Sequence, residues 1–429
     1  MQAPTHRVTP ATSLNGVVRL PGDKSISHRY AMIAAVAEGA SLLHNYSSGA
    51  DCQSTLGCIE ALGIQVEREG RTVRVHGRGL DGLTAPAAAL DAGNSGSTIR
   101  MLSGMLAAQP FESVIGGDES LSRRPMQRIM TPLRAMGAEI SAREDKFPPL
   151  AIRGARLTPI RYEPPVPSAQ VKTCVLFAGL HTEGVTEVVE RVRTRDHTEV
   201  ALREFGAVVE QSGGAISIQG RPRLTARELS VPGDLSSAAF FLAAANLLPG
   251  SRIVIEQVGL SPSRTQLLDW LLGAGAQIRV LDVGQKAGEM VGTLLVTYSG
   301  IGGGVIEGAM TAALIDEIPV LAVLGARSER GLTVRDAAEL RVKETDRIET
   351  VAENLRRMGC EITTSADGFH VPGKQRFRGA VCDSFGDHRI AMAFAVAGLA
   401  ADGETLIENA AAASVSFPEF YVTLDSLRA

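Results

Sequence analysis

Large aromatic side chains are scarce: one Trp, five Tyr and twelve Phe stand among 429 residues. The interior must be filled by Ala, Leu, Val and Ile, which predicts thin, closely packed helices and strands. Cysteine is equally sparse. Cys52, Cys58, Cys174, Cys360 and Cys382 are odd in number, and none forms a CxxC pair or lies near metal-spaced histidines. That argues against a disulfide framework and for reduced, semi-buried thiols in a reducing compartment. No apolar run reaches membrane-spanning length, and residues 1–10 lack the apolar core of a signal peptide. The expected location is the cytoplasm. A net charge of −4 leaves no global field to recruit nucleic acid or an acidic membrane, so any anion site must be a local basic cluster. There is no P-loop, dinucleotide fingerprint, metal-spaced cluster or Ser-His-Asp arrangement. Nucleotide hydrolysis, redox chemistry and covalent acyl transfer are therefore disfavoured.

What is present is a repeat. The length exceeds one ordinary core and predicts two domains. Polar loops precede apolar Ala/Leu helices near Lys24, Asn94, Ser168, Asp234, Asp316 and Asp387, with a period of about 70 residues. Between them, further helices end at Gly63, Gly137, Gly206, Gly275 and Gly359. Glycine just past a helix is a common stop. Short alternating strands follow, such as Val73-Arg74-Val75 and Ala215-Ile216-Ser217-Ile218. Each unit reads β-α-β-α-β-β, and the chain reads as six units in an α/β (α+β) fold of two similar halves. The sixth unit is short, and residues 1–19, with the strand-like Asn15-Gly16-Val17-Val18-Arg19-Leu20, are expected to supply the missing piece, so that the N-terminus packs in the C-terminal half. The expected domains are 20–232, and 1–19 with 233–429. The chain would cross between them near 20 and 232, forming a double hinge beside a ligand cleft.

The best internal match joins residues 20–39 to 231–250. Pro-Gly-Asp and the following Ser recur, but Leu235 stands for Lys24 and Phe240 for Arg29. The fold is duplicated and the charge is not, which assigns Lys24 and Arg29 to chemistry. Cations oppose the dipole at a helix start unless an anion sits between them. Ser25 and Ser27 suit such a start. Without the repeat, the same stretch would read as an exposed turn with two solvated charges.

Other loops are of the same kind. Gly93-Asn94-Ser95-Gly96-Ser97-Thr98 can cradle an anion or be a plain loop. Arg124 precedes a proline-started helix. Ser168 is placed to cap a helix, and Gln170 to hold a hydroxyl or phosphate. Arg195 opens another helix as a ligand contact, whereas His197 reads equally as structural. Asp316 and Glu317 precede an apolar helix, where burial would raise a carboxylate pKa and suit a general base. Paired acids are also simple caps. Lys343 and Arg347 are four apart and would share a helix face, with Glu344 beside them. Arg389 starts a helix after Asp387. Lys24, Arg29, Arg124, Arg195, Lys343, Arg347 and Arg389 together predict a small substrate bearing several negative charges.

These strings resemble the EPSP synthase (3-phosphoshikimate 1-carboxyvinyltransferase) family over essentially the whole chain. They are residues 20–29, 93–100, 124–125, 168–170, 316–317, 341–347 and 387–389. Ser168-Ala169-Gln170-Val171-Lys172 and Arg195-Asp196-His197-Thr198-Glu199 look like the second bacterial class. The resemblance implies an enolpyruvyl transferase fold, each domain having three β-α-β-α-β-β units. It implies transfer of the carboxyvinyl group of phosphoenolpyruvate to the 5-hydroxyl of shikimate 3-phosphate, on the shikimate pathway to aromatic amino acids. No metal or organic cofactor is implied, and the protein is expected as a monomer without nucleic-acid or membrane partners.

By position, the resemblance gives shikimate 3-phosphate to Lys24, Ser25, Arg29, Ser168, Ala169, Gln170, Arg195, Asp316 and Lys343. It gives phosphoenolpyruvate to Lys24, Gly96, Arg124, Gln170, Arg347 and Arg389. Asp316 takes the hydroxyl proton; Glu344, with Lys24 as competitor, handles the methylene proton. The retained Gly96 implies that glyphosate can enter the phosphoenolpyruvate subsite. The first class has a lysine shortly before its terminal Phe-Pro, where this chain reads Ser414-Val415-Ser416-Phe417-Pro418. One phosphate contact is then absent unless Lys172 supplies it. Glu339 stands where the first class often has Asn, leaving a ring contact there open. A transferase acting on UDP-N-acetylglucosamine would need Lys-Asn-Ala at Lys24-Ser25-Ile26 and a cysteine within 111–123, and has neither. A non-catalytic phosphate-binding protein would not need Asp316 and Glu344, and both are present.

Overall fold

The computed structural model describes residues 5–429. The helices are α1 (Lys24–Ala35), α2 (Ala50–Ala61), α3 (Gly96–Leu106), α4 (Gln127–Ala135), α5 (Ala169–Gly179), α6 (His197–Glu204) and α7 (Leu235–Leu247). They continue as α8 (Gln266–Gly273), α9 (Ala309–Leu314), α10 (Ile318–Arg327), α11 (Arg347–Arg357), α12 (His388–Leu399) and α13 (Phe420–Ser426). Two compact units divide them. One holds Gly22–Val231 with Lys286–Glu289; the other holds Pro232–Gln285, Met290–Ala429 and the N-terminal segment ending at Pro21. The chain thus changes unit after Pro21 and after Val231. It also sends four residues, Lys286–Glu289, into the first unit, which the repeat does not foretell.

The repeat has one sheet pattern. In the second unit of the repeat, Leu90–Asp91 lies parallel to Glu112–Gly116, which pairs antiparallel with Phe147–Arg153, and that with Glu139–Arg143. Arg161–Tyr162, Val185–Val189, Ala215–Gln219 and Val209–Ser212 repeat this order. Gly304–Ile306, Leu332–Val334, Gly368–Val371 and Thr363–Ser365 do so again.

The exceptions lie at the Pro-Gly-Asp turns. Glu228–Ser230, which leads into the turn before α7, pairs parallel with Glu38–His44, the strand after α1. Asn15–Arg19, which leads into the turn before α1, pairs parallel with Arg252–Gly259, the strand after α7. The incomplete sixth unit is completed from the N-terminal segment, as expected, but not by Asn15–Arg19. His6–Val8 completes it, antiparallel to Thr405–Glu408. Asn15–Arg19 is already paired elsewhere, as the edge of the sheet that holds Arg252–Gly259.

Burial explains the low aromatic content. All thirteen residues of α7, Leu-Ser-Ser-Ala-Ala-Phe-Phe-Leu-Ala-Ala-Ala-Asn-Leu, are buried, and α12 is buried along its length. A helix apolar on every side belongs in the middle of its core. Small residues let such helices approach: a Cβ on Gly104 of α3 would lie 2.1 Å from the Cys174 carbonyl oxygen of α5. Each unit has its own apolar cluster, one around α7, α10 and α12, the other around α1, α3 and α5. All five cysteines are free and buried.

Candidate active site

Aspartate, not serine, caps the helix that carries the basic motif. Asp23 accepts a hydrogen bond from Ile26 N at 2.9 Å, and Asp234 caps α7 in the same way through Ser236 N at 2.8 Å. The shared Pro-Gly-Asp is thus a capping turn. Ser25 and Ser27 are left for other work: Ser27 Oγ accepts from Ser47 N, and Ser25 Oγ accepts from Arg195 Nη1 at 3.3 Å.

In the unit of α1–α6, Lys24 Nζ pairs with Asp51 Oδ2 at 2.8 Å. Arg29 is buried and donates through Nε to Thr198, Nη1 to the Ser25 carbonyl and Nη2 to Thr173. Burial pulls its pKa down to about 10, against the pull of Glu199. Burial, with Lys24 and Arg29, also holds His28 neutral, its pKa well below the usual value. Gln170 joins α5 to α3, accepting from Arg100 Nη1 and donating to Ser97 Oγ, both at 2.9 Å. Ser168 Oγ caps α5, accepting from Val171 N at 3.4 Å, and Ala169 is its first residue. Arg124 donates to Asn94 Oδ1 at 2.8 Å and to Ser120 Oγ at 3.0 Å. A Cβ on Gly96 would lie 2.6 Å from Arg100 Nη1 and 3.5 Å from Arg124 Nη1, so glycine keeps this cradle open.

Lys172 is not a substitute for the missing C-terminal lysine. It is 1% exposed and bound to Glu190 at 2.9 Å and Glu199 at 2.7 Å. His197 is structural: its Nδ1 meets Glu289 Oε1 at 2.8 Å, and both side chains are buried.

In the other unit, Asp316 is surrounded by Arg347 Nη1 at 3.6 Å, Lys343 Nζ at 3.7 Å and Arg389 Nε at 4.0 Å. The Asp316 side chain is 17% exposed, partly desolvated as expected, with cations for neighbours, and Glu317 is the more deeply buried acid. One expectation is corrected here. Lys343 and Arg347 do not share a helix face. Residues 338–342 form a 3₁₀ turn, and α11 begins only at Arg347, because Asp346 caps it through Ile348 N and Glu349 N. The two cations still converge on Asp316, through the fold rather than helical spacing. Arg347 is 1% exposed and bonds to Asp387 (Nε at 2.8 Å) and Glu344 (Nη2 at 2.7 Å). Burial alone would lower its pKa, but Asp387, Glu344 and Asp316 outweigh that and raise it. Asp387 also caps α12 through Arg389 N at 2.8 Å.

Sequence reasoning passed over Asp51, Arg264 and the capping role of Asp387, and gave Arg100 no role of its own. Arg264 had a signal: it stands eleven residues before the helix-stopping Gly275, as Arg195 does before Gly206.

A sixfold β-α-β-α-β-β repeat with cation-lined helix starts defines a transferase of the enolpyruvyl transferase fold. The profile of EPSP synthase (3-phosphoshikimate 1-carboxyvinyltransferase) matches residues 8–424, and the chain belongs to that family. A 3-phosphoshikimate 1-carboxyvinyltransferase of Solibacter usitatus (strain Ellin6076) is 65% identical, covering 98% of this chain and 99% of the relative. One from Koribacter versatilis (strain Ellin345) is 53% identical over 98% of each. A solved EPSP synthase from Acinetobacter baumannii superposes with a TM-score of 0.87 at 40% identity, covering 99% of this chain and 98% of that one.

Proposed function

We propose that this chain works as a 3-phosphoshikimate 1-carboxyvinyltransferase, with the residue roles that follow. It transfers the enolpyruvyl group of phosphoenolpyruvate to the 5-hydroxyl of shikimate 3-phosphate and releases phosphate, on the route to chorismate and aromatic amino acids. Family membership across residues 8–424 supports the reaction. The observation that carries the roles is the Asp316 carboxylate held by three cations within 4.0 Å.

Asp316 accepts the proton of the 5-hydroxyl as its oxygen bonds to C2 of phosphoenolpyruvate, and C3 gains a proton. Loss of a C3 proton then expels phosphate from the tetrahedral intermediate. Glu344, 2.7 Å from Arg347, moves the C3 proton, with Lys24 as the competing group. Lys24, Gly96, Arg124, Gln170, Arg347 and Arg389 hold phosphoenolpyruvate, and the arginines neutralise the leaving phosphate. Lys24, Ser25, Arg29, Ser168, Ala169, Gln170, Arg195, Asp316 and Lys343 hold shikimate 3-phosphate. The Arg195–Ser25 contact at 3.3 Å supports that grouping. Arg29, already donating to three oxygens, acts by setting Ser25 and the threonines as much as by direct contact. The protein acts as a monomer in the cytoplasm; no helix among the described residues is long and apolar enough to cross a membrane. The crossings near residues 20 and 232 serve as a hinge, and scattering that shows no compaction with both substrates would refute this.

The test is phosphate release from phosphoenolpyruvate by purified protein. Release is expected only with shikimate 3-phosphate present; release without it, or none, would overturn the reading.

A further inference from the structure

The duplicated Pro-Gly-Asp motif retains Ser236 without the lysine and arginine of its partner copy. In the unit of α7–α13, Ser236 Oγ donates to Glu317 Oε1 and accepts from Arg264 Nη2. Arg264 Nη2 is 3.5 Å from the same carboxylate oxygen. Ser236, Arg264 and Glu317 are each at least nine-tenths buried. Arg389 Nη1 stands 3.9 Å from Glu317 Oε1, and Arg389 Nε stands 4.0 Å from Asp316 Oδ1. The guanidinium thus hangs between two carboxylates at nearly equal distance. Its Nε is buried and makes no hydrogen bond among the described residues.

We infer that Ser236, Arg264 and Glu317 form a positioning triad that keeps Arg389 from closing onto Asp316. Glu317 draws Arg389 by charge without consuming its donors, leaving them for an incoming oxyanion. Ser236 and Arg264 hold Glu317 in turn, so that it does not collapse onto Arg389 either. Losing the Glu317 charge would let Arg389 form a close pair with Asp316, and the phosphate of phosphoenolpyruvate would have to break that pair to bind. A ligand that must first undo a competing state binds with reduced apparent affinity, while the bound state is unaltered. The inference rests on the reading that Arg389 holds phosphoenolpyruvate.

The experiment is steady-state kinetics on full-length Glu317→Gln, Ser236→Ala, Arg264→Met and Arg389→Met. For Glu317→Gln the Michaelis constant for phosphoenolpyruvate should rise about tenfold, with kcat within about threefold and the constant for shikimate 3-phosphate within about twofold. The inhibition constant of inorganic phosphate against phosphoenolpyruvate should rise by the same factor. Arg264→Met should act alike, and Ser236→Ala, which removes only one hydroxyl and serves if Glu317→Gln does not fold, should give roughly a two- to fourfold rise. An unchanged or lowered constant for phosphoenolpyruvate in these variants, or equal losses for both substrates, overturns the triad. If Arg389→Met also leaves that constant unmoved, the assignment of Arg389 has failed and the triad with it. If Arg389→Met raises it and Glu317→Gln does not, the triad alone has failed.

Discussion

Replacing Lys172 by Met removes the charge from a deeply buried ion cluster of the α1–α6 unit while keeping a side chain of similar length. Lys172 and Glu199 are each 1% exposed, and Glu190 is 6% exposed at its side chain. At 2.7 and 2.9 Å each pair carries a gross attraction of about 6 kcal/mol at an effective dielectric of ~20. Desolvation of the ammonium offsets much of it, so the wild-type cluster is not a large net gain. Removing one partner is different, because it strands two buried carboxylates; such losses run about 3–5 kcal/mol. A unit of this size shifts by about 2–4 °C per kcal/mol, which gives a fall of roughly 6–20 °C in Tm. Calorimetry at pH 7.5 reads this directly. Adding Glu199→Gln removes one stranded charge and should recover more than about 1 kcal/mol, a coupling that a double-mutant cycle isolates. A fall below about 3 °C, or a double variant whose loss relative to the wild type equals the sum of the two single losses, would refute the reasoning.

Asp316→Asn should lower kcat by about 10²–10⁴ with a native circular dichroism spectrum; turnover near wild type would remove Asp316 as the base. Gly96→Ala places a methyl 2.6 Å from Arg100 Nη1 and 3.5 Å from Arg124 Nη1. It should raise the phosphoenolpyruvate Michaelis constant and weaken glyphosate inhibition, with less effect on shikimate 3-phosphate; equal effects on both substrates would contradict the cradle. For the wild type, an inhibition constant for glyphosate far above the Michaelis constant for phosphoenolpyruvate would count against entry to that subsite. Burial pushes the Cys360 thiol up to about 11 and Cys58 and Cys382 up to about 12, and raises Cys52 and Cys174 further. Thiolate is the reactive form, so at pH 8 the native protein should resist a thiol-specific chromogenic disulfide and release five thiols on denaturation; rapid reaction without denaturant would show the burial to be wrong.

Much of the architecture was legible because it is written as local, repeated chemistry. Helix-stopping glycines, polar loops and apolar runs recur at about 70 residues, and each is a short-range signal. The candidate site strings could be picked out because a motif such as Lys24-Ser25 or Asp387-His388-Arg389 is contiguous. The pairing partners could not. Nothing local says that His6–Val8 enters the sixth unit while Asn15–Arg19 edges the fourth, because strand pairing is a contest over distant edges. Nor does spacing reveal that Lys172 is held by Glu190 and Glu199, or that Lys343 and Arg347 meet at Asp316 without sharing a helix.

The Pro-Gly-Asp decamer shows the division most sharply. By itself the sequence determined that one copy carries lysine and arginine and the other does not. The tertiary structure decided what each residue is for. Aspartate is the cap, Ser25 meets Arg195, and Ser236 is tied to Glu317 and Arg264. Charge content is a property of the chain, whereas the partner that makes a buried charge tolerable is set by which distant residues folding brings within a few ångströms.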